Sequence, residues 1–378
     1  MKIIITTSLF PPEIVEPASY SEKIAKLIRK NNKIIVATYS NSPKDTETEI
    51  INTKKSNILI VRLFNFTLSL FNNSKNTDII YVQSGMAVSL PSIIVASLRK
   101  IPIVLRFMED EAYERAKNQS QTKKTIEEFY EKYECNLKIR FILFLQKFIL
   151  KKANLIISPS EYFKNLIARK YKISKDKIIT NYNIPEKKEI LPFEVNRELN
   201  SIFIDERLSK NNNIDILINA IKILKDNYKN IILYIAGDGD KKDNLKKLTN
   251  KLKLNKNIIF LDSLSRAEQF YYRKKVLLHF ISMPSEKSYN SIINSFRTKT
   301  PIVALNSLII NELIENNKTG IIVQENNSEN IAKSIKTLFE NEDLRNKIIL
   351  NCEKEIKEKF SEENHLKQLL NIFNNTLK

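Results

Sequence analysis

Apolar residues occur along this chain in short continuous runs rather than in alternation: KIIITTS from Lys2, KIIVATYS from Lys33, ILIVRLF from Ile58, IIYVQS from Ile79, PIVLRFM from Pro102, LIISPS from Leu155 and KIITNYN from Lys177. A strand covered on both faces has no polar side, so these β-branched runs predict buried parallel strands. Between the first two lies ASYSEKIAKLIRK, whose apolar residues return at helical spacing and whose Ser19 and Glu22 stand at capping-box separation. Strand, helix and strand make a βαβ unit. The alternation restarts with SIFIDE from Ser201 and continues through IILYIAG, NIIFLDS, VLLHFIS, PIVAL and TGIIV. The intervening stretch from Asn183 to Leu199, NIPEKKEILPFEVNREL, is polar, carries prolines and has no period. The pattern therefore predicts an α/β chain of two domains meeting near residue 190, the first over residues 1–190.

A length of 378 residues suits two domains of about 150 to 200 residues each, and 42% apolar residues supply two cores. Cys135 and Cys352 form no C-x-x-C pair, which argues against a disulfide framework or a zinc site and for a reducing cytoplasm. His279 and His365 are the only histidines, too few for histidine-rich metal sites and poor support for Ser-His-Asp chemistry. His279, inside an apolar run, reads as a core histidine with both nitrogens satisfied. The chain opens directly on a strand-like run, without the pattern of a secretion signal. Its most apolar stretch, Gly85 to Phe107, is broken by Pro91, Arg99, Lys100 and Pro102, so no membrane span is predicted.

The formal charge of +19 admits nucleic acid or an anionic membrane as partner. Lysine is frequent throughout, however, and no helix-turn-helix, finger or aromatic-basic platform points to specific nucleic-acid binding. The segment Asn136 to Lys152 mixes Phe, Ile and Leu with Lys138, Arg140, Lys147, Lys151 and Lys152. Two readings stay open: peripheral contact with the inner face of a membrane, or a core-facing helix with snorkelling lysines.

Candidate chemistry concentrates between Ser282 and Val303, SMPSEKSYNSIINSFRTKTPIV. A strand ends in a loop holding Pro284, Ser285 and Glu286, and a helix begins near Asn290 with Ile292, Ile293 and Phe296 on one face. In a parallel sheet such a loop lies at the carboxyl edge, where ligands bind. The helix start directs free N–H groups and a positive dipole end there, which suits phosphate or sugar oxygens. The stretch resembles the signature of the nucleotide-sugar glycosyltransferases of family 4, glycosyltransferase group 1: a Glu, seven residues, a second Glu, then a turn ending Gly-x-Pro-Val. Glu286 matches the first Glu, Asn294 stands at the second, and Thr300, Pro301, Ile302 and Val303 match the end.

The resemblance extends along the chain in order. LFPPEIVEPASY resembles the first family loop, Pro-Pro-x-x-Gly-Gly, which closes over the nucleotide diphosphate, with Val15 and Glu16 at the glycine positions and Pro17 beside them. RFMEDEAYERAKNQ resembles a strand end followed by a helix start, with Asp110, Tyr113, Glu114, Arg115 and Ala116 in place; Asp110 reads either as a cleft residue or as a helix start. No histidine stands there, where many members carry one facing the transferred sugar. DERLSKNNNIDILINAI resembles Gly-Arg-Leu, a gap and Lys-Gly: Arg207 falls on the arginine that pairs with the diphosphate, Glu206 on the glycine and Asn212 on the lysine, with Lys210 two residues away. Gly237 and Gly239 match the Gly-x-Gly turn, which close strand-helix packing explains equally well; the full dinucleotide fingerprint is absent, and no nicotinamide cofactor is expected. Asp262 takes a glycine position in the loop that cups the base, Glu312 and Gly320 are in register, and the tail resembles the helix that returns to the first domain.

The resemblance implies the GT-B fold, two Rossmann-like domains with parallel sheets facing a central cleft, the second over residues 191–355 and followed by a closing helix over 356–378. It implies transfer from a nucleoside-diphosphate sugar, with retention, to a saccharide, lipid-linked or small-molecule acceptor. Arg207 and the helix start at Asn290, Ser291 and Ile292 would neutralise the departing diphosphate without a metal or other cofactor. Glu286 would hold donor-sugar hydroxyls and Asn294 the ribose. The departures at Val15, Glu16, Asn212 and Asn294 support an alternative, a non-catalytic binding or scaffold protein on the same fold.

Overall fold

The computed structural model of the chain describes residues 1–13, 16–39, 48–83, 85–119, 121–122, 124–131, 135–183, 194–209, 212–282 and 288–377, without the side chains of Glu16 and Ser288. It divides into two compact units, Met1–Asn183 with Glu363–Lys378, and Ile184–Glu362.

The first unit runs β1 (Lys2–Thr7), α1 (Glu16–Ile28), β2 (Lys33–Thr38), β3 (Glu49–Asn52), α2 (Leu59–Asn73), β4 (Ile79–Gln83), α3 (Met86–Arg99), β5 (Ile103–Arg106), α4 (Glu111–Asn118), α5 (Ile126–Glu131), α6 (Leu137–Lys152), β6 (Leu155–Ser158), α7 (Glu161–Tyr171) and β7 (Ile178–Thr180). The second runs β8 (Glu198–Asp205), α8 (Ile214–Lys225), β9 (Ile232–Ala236), α9 (Lys242–Lys251), β10 (Ile258–Phe260), α10 (Arg266–Lys275), β11 (Val276–Ile281), α11 (Ser288–Arg297), β12 (Ile302–Leu305), α12 (Leu308–Leu313), β13 (Ile321–Val323), α13 (Ser328–Glu340) and α14 (Glu342–Glu358). The last helix, α15 (Glu362–Thr376), packs in the first unit.

The sheets are ordered β3-β2-β1-β4-β5-β6-β7 and β10-β9-β8-β11-β12-β13, with every pair parallel. Each is a doubly wound sheet whose order reverses beside its first strand, at β1/β4 and at β8/β11. Loops diverge there and leave a crevice at the carboxyl ends of the strands. This is the architecture of the GT-B fold.

In the first unit Ile4, Ile80, Val82 and Leu105 pack with Phe66, Val88 and Ile142 on the side of α2, α3 and α6. Tyr81 turns the other way, edge-on to Phe373 of α15. The tail helix is further fixed by His365. Its Nδ1 lies 2.7 Å from the Tyr182 carbonyl and its Nε2 2.9 Å from the Tyr20 hydroxyl, the pattern of a neutral ring donating through Nδ1 and accepting from tyrosine. Burial pushes His365 down to about 4, the Tyr182 carbonyl opposing and the nearby Arg106 and Lys23 charges reinforcing the shift.

Two local expectations are corrected. The run ILIVRLF from Ile58 is not a strand; it enters α2, and the strand of that region is the shorter β3 upstream. Apolar residues continue through LIVRLFNFTLSLF, with Phe66 and Leu70 buried one turn apart, so helical packing overrides the β-branched start. Helix α1 begins at Glu16 with Pro17 in its first turn, where a missing N–H costs nothing; Ser19 and Glu22 therefore lie inside the helix, and Glu22 pairs with Lys26. Among the described residues no helix is long and apolar enough to cross a membrane.

Candidate functional site

The second unit carries the candidate site at the carboxyl edge of its sheet, on the β8 side of the switch point. Strand β8 ends at Asp205 and its loop continues through Glu206, Arg207 and Leu208; the neighbouring β9 ends at Ala236 and turns through Gly237, Asp238 and Gly239. These loops, with Ser263, Leu264 and Gln269, line a cavity of about 490 Å³.

The glycines make that wall possible. A Cβ on Gly237 would lie 2.0 Å from the Glu206 carbonyl oxygen, and one on Gly239 2.3 Å from that of Leu208. The Leu208 amide donates to the Asp238 carbonyl at 3.0 Å, and the Lys241 amide donates to the Leu208 carbonyl at 3.0 Å. Two backbones at this spacing leave no room for a side chain. The close packing at Gly237 and Gly239 is between adjacent loops rather than between strand and helix, and it shapes the cavity.

Beneath the loop lies a buried polar network. Asp205 pairs with the Arg273 guanidinium, stands 2.8 Å from Nε2 of His279 and accepts from the Ser291 hydroxyl at 3.1 Å. Ser291 in turn accepts from Arg273 at 2.9 Å, and Ser295 lies 2.8 Å from Nδ1 of His279. Burial pushes Asp205 up, but Arg273, His279 and Ser291 outweigh it and hold the carboxyl below its usual range. Burial likewise keeps His279 below the ordinary imidazole range despite Asp205. Both ring nitrogens are partnered, as expected of a core histidine. Asp, His and Ser occur together here, but Ser295 is fully buried and cannot meet a substrate. The network instead ties α11 to the ends of β8 and β11.

Glu206 adds a second tie. Its carboxylate accepts from the Ser282 amide at 2.8 Å, from the Ser282 hydroxyl at 2.5 Å and from the Asn212 side-chain amide at 3.0 Å. Asn212 accepts in turn from the Ser209 hydroxyl at 2.6 Å. A carboxylate thus stands on the cavity wall where the family pattern has glycine.

Arg207, Gly237 and Gly239 are brought together at the cavity, Arg207 exposed. Asn290 and Asn294 lie half-buried on α11. Ser291 faces inward to Asp205 and Arg273, which makes it an anchor. The helix starts at Ser288, before the expected Asn290, so its unpaired amides lie in the turn ending at Asn290. Ile292, in the next turn, has its side chain fully buried and presents neither a free amide nor a side chain to a ligand. Glu286 and Lys210 lie outside the described residues, as do Val15 and the Glu16 side chain; Pro17 is exposed in the first turn of α1.

Asp110 belongs to the first unit and is 1% exposed. One oxygen accepts from the Tyr113 amide at 2.9 Å, capping α4, and the other accepts from the hydroxyls of Tyr130 and Tyr171. Burial, then the Asp110 charge, pushes both phenols well above their usual range. Asp110 therefore caps a helix start, buried rather than solvated as expected of one, with no face left for a reacting group. Sequence reasoning did not identify Asp205 and Arg273: the first is one acid at a strand end, and the second sits in the basic run RKK.

The profile of the family described as Glycosyl transferases group 1 matches residues 185–355. The second unit is a group 1 glycosyltransferase domain. The chain is 27% identical over 184 residues to an uncharacterised glycosyltransferase of Methanocaldococcus jannaschii, covering 46% of this chain and 45% of that protein. It is 24% identical over 261 residues to the alpha-monoglucosyldiacylglycerol synthase of Streptococcus pneumoniae, covering 65% and 55%. The chain thus spans about half the length of the curated relatives it matches. Among solved structures, Anabaena HepE in complex with UDP superposes with a TM-score of 0.69 at 15% identity, covering 99% of this chain and 100% of HepE. That likeness is one of fold. Within the group 1 domain, the cavity, the glycine turn and the start of α11 converge on one sheet edge.

Proposed function

We propose that the chain transfers a sugar from a nucleoside-diphosphate sugar to a saccharide, lipid-linked or small-molecule acceptor, with retention of anomeric configuration. The observation that carries this reading is the hydrogen bond from Ser291 to Asp205, which holds the start of α11 against the loop that bears Arg207. A diphosphate at that crevice would meet the helix amides from one side and a guanidinium from the other. Charge grows on the diphosphate as the glycosidic bond breaks, and donors fixed in advance stabilise it without reorganising. Arg207 stays charged and offers a planar fork to phosphate oxygens. The protein's own cation and amides supply this stabilisation, so the scheme needs no metal or cofactor. Glu286 holds sugar hydroxyls and Asn294 the ribose. The group 1 match over residues 185–355 supports the reading, as does a neighbour of the same fold solved with UDP-glucose.

The test is calorimetric titration with a panel of nucleoside diphosphates and their sugar conjugates. One nucleotide should bind, and Arg207→Ala should weaken it by about 1.5 to 3 kcal/mol, roughly 10- to 150-fold. The melting temperature should hold, because Arg207 is exposed. Glu286→Ala should weaken only the sugar conjugate. Binding of no nucleotide by the folded protein would leave the non-catalytic scaffold in its place.

A further inference from the structure

Helices α2, α3 and α6 lie side by side on one face of the first sheet, and their outward surfaces are apolar where water should meet polar residues. On α2, Ile60 is 78% and Phe64 64% exposed; on α3, Leu98 is 67%; on α6, Phe141 is 60% and Phe144 64%. These residues are additional to a complete core: Phe66, Leu70, Val88, Ile139 and Ile142 on the same helices already fill the sheet side. On α6 the exposed positions Leu137, Phe141, Phe144 and Phe148 recur every three or four residues, which places them on one stripe.

Charge identifies the occupant. None of the three helices contains an aspartate or glutamate, although the chain holds 43. What they carry instead is Arg62, Arg99, Lys138, Arg140, Lys147 and the C-terminal pair Lys151 and Lys152. A second copy docking through this face would bring like charges together in a chain of net charge +19. The phenylalanines could stack on nucleic-acid bases, but Ile60, Leu98 and Leu137, at least as exposed, could not. An exposed apolar surface on helices that carry bases and no acids matches the boundary between anionic headgroups and acyl chains, where the rings enter and lysines stay at the phosphate level.

We propose that the α2-α3-α6 face docks the protein peripherally on an anionic lipid bilayer, without spanning it. The docking surface is thus wider than α6 alone, and α2 contributes as much of it as α6. It rests on exposure and charge in the first unit, independent of the nucleotide site.

The experiment is flotation of the full chain with vesicles of pure phosphatidylcholine and with vesicles containing phosphatidylglycerol, over a range of salt. Binding is expected to the anionic vesicles only and to weaken with salt. Phe64→Ser with Phe144→Ser should lower the partition coefficient at least tenfold, and Lys147→Gln with Lys151→Gln about fivefold for each charge removed. Melting temperature and nucleotide titration of the same variants should match the parent, which keeps failure at this face distinct from failure of the sugar-transfer reading. The proposal is overturned by absence of binding to anionic vesicles, by binding that the phenylalanine pair does not alter, or by a dimer in sedimentation that the same pair dissolves. It is equally overturned if single-stranded nucleic acid binds in the phenylalanine-dependent mode and vesicles do not.

Discussion

Glu206 and Asn212 are joined by a 3.0 Å hydrogen bond, and each stands where the group 1 pattern carries a different residue. A glycine-lysine pair has been replaced by a carboxylate-amide pair that satisfies itself. The carboxylate puts an anion on the cavity wall, which a diphosphate bound there would meet as repulsion.

Glu206→Gln should therefore bind a nucleoside diphosphate about fivefold more tightly at low ionic strength, with the gain shrinking as salt rises. A glutamine can still accept from the Ser282 amide, so the loop stays tied. Titration at two salt concentrations checks this. Unchanged affinity at both would mean that the carboxylate does not face the ligand.

Gly237→Ala and Gly239→Ala should each lose about 1 to 3 kcal/mol of stability, because the new methyl overlaps a backbone carbonyl on the adjacent loop rather than a yielding side chain. Thermal melts should fall in both variants, and nucleotide affinity should fall with them as the cavity wall moves. Gly85→Ala is the control, since the nearest atom its Cβ would meet is Ser8 Oγ at 3.8 Å. Its positive φ of 113° adds strain, but the cavity is untouched.

Asp205→Asn leaves the buried Arg273 cation without its counter-charge and should cost about 3 to 5 kcal/mol. Adding Arg273→Met should recover much of that loss. Chemical denaturation of the single and double variants measures the difference; equal stabilities would show that the pair is not coupled.

His365 sets an acid limit on the docking of α15. Its pKa is pushed down to about 4 in the folded chain, against about 6.5 when unfolded. Between those values the unfolded chain holds a proton that the folded chain lacks, so the stabilisation present above pH 6.5 is lost as pH falls towards 4. The loss reaches about 3 kcal/mol. Amide exchange of α15 should accelerate across that window in the parent and much less in His365→Gln. The same acceleration in both would remove His365 as its cause.

How much of this was legible in the sequence varies by element. The strands of both sheets were visible because parallel strands are buried on both faces and so appear as unbroken apolar runs, KIIITT and VLLHFI among them. The exception is instructive. The run from Ile58 was read as a strand because apolar residues occupy both sides of α2, and a helix that is apolar outward as well as inward hides its period. The residues that defeated the pattern, Ile60 and Phe64, are those now assigned to the lipid surface. At the site, Arg207, Gly237 and Gly239 were legible, being a charged fork and two glycines in a chain that has only four.

The sequence by itself determined the alternating α/β chain, the break between its halves and the placing of Arg207 and the paired glycines at strand ends, because each is written in neighbouring residues. Only the tertiary structure decided which acids line the cavity and which are used inside. Asp110 and Asp205 read alike along the chain, each an acid at the end of an apolar strand. One caps a helix beneath two tyrosines; the other joins Arg273, 68 residues downstream, to Ser291. Burial and the partners that fold against a carboxylate set its role, and both come from chain segments far apart in sequence.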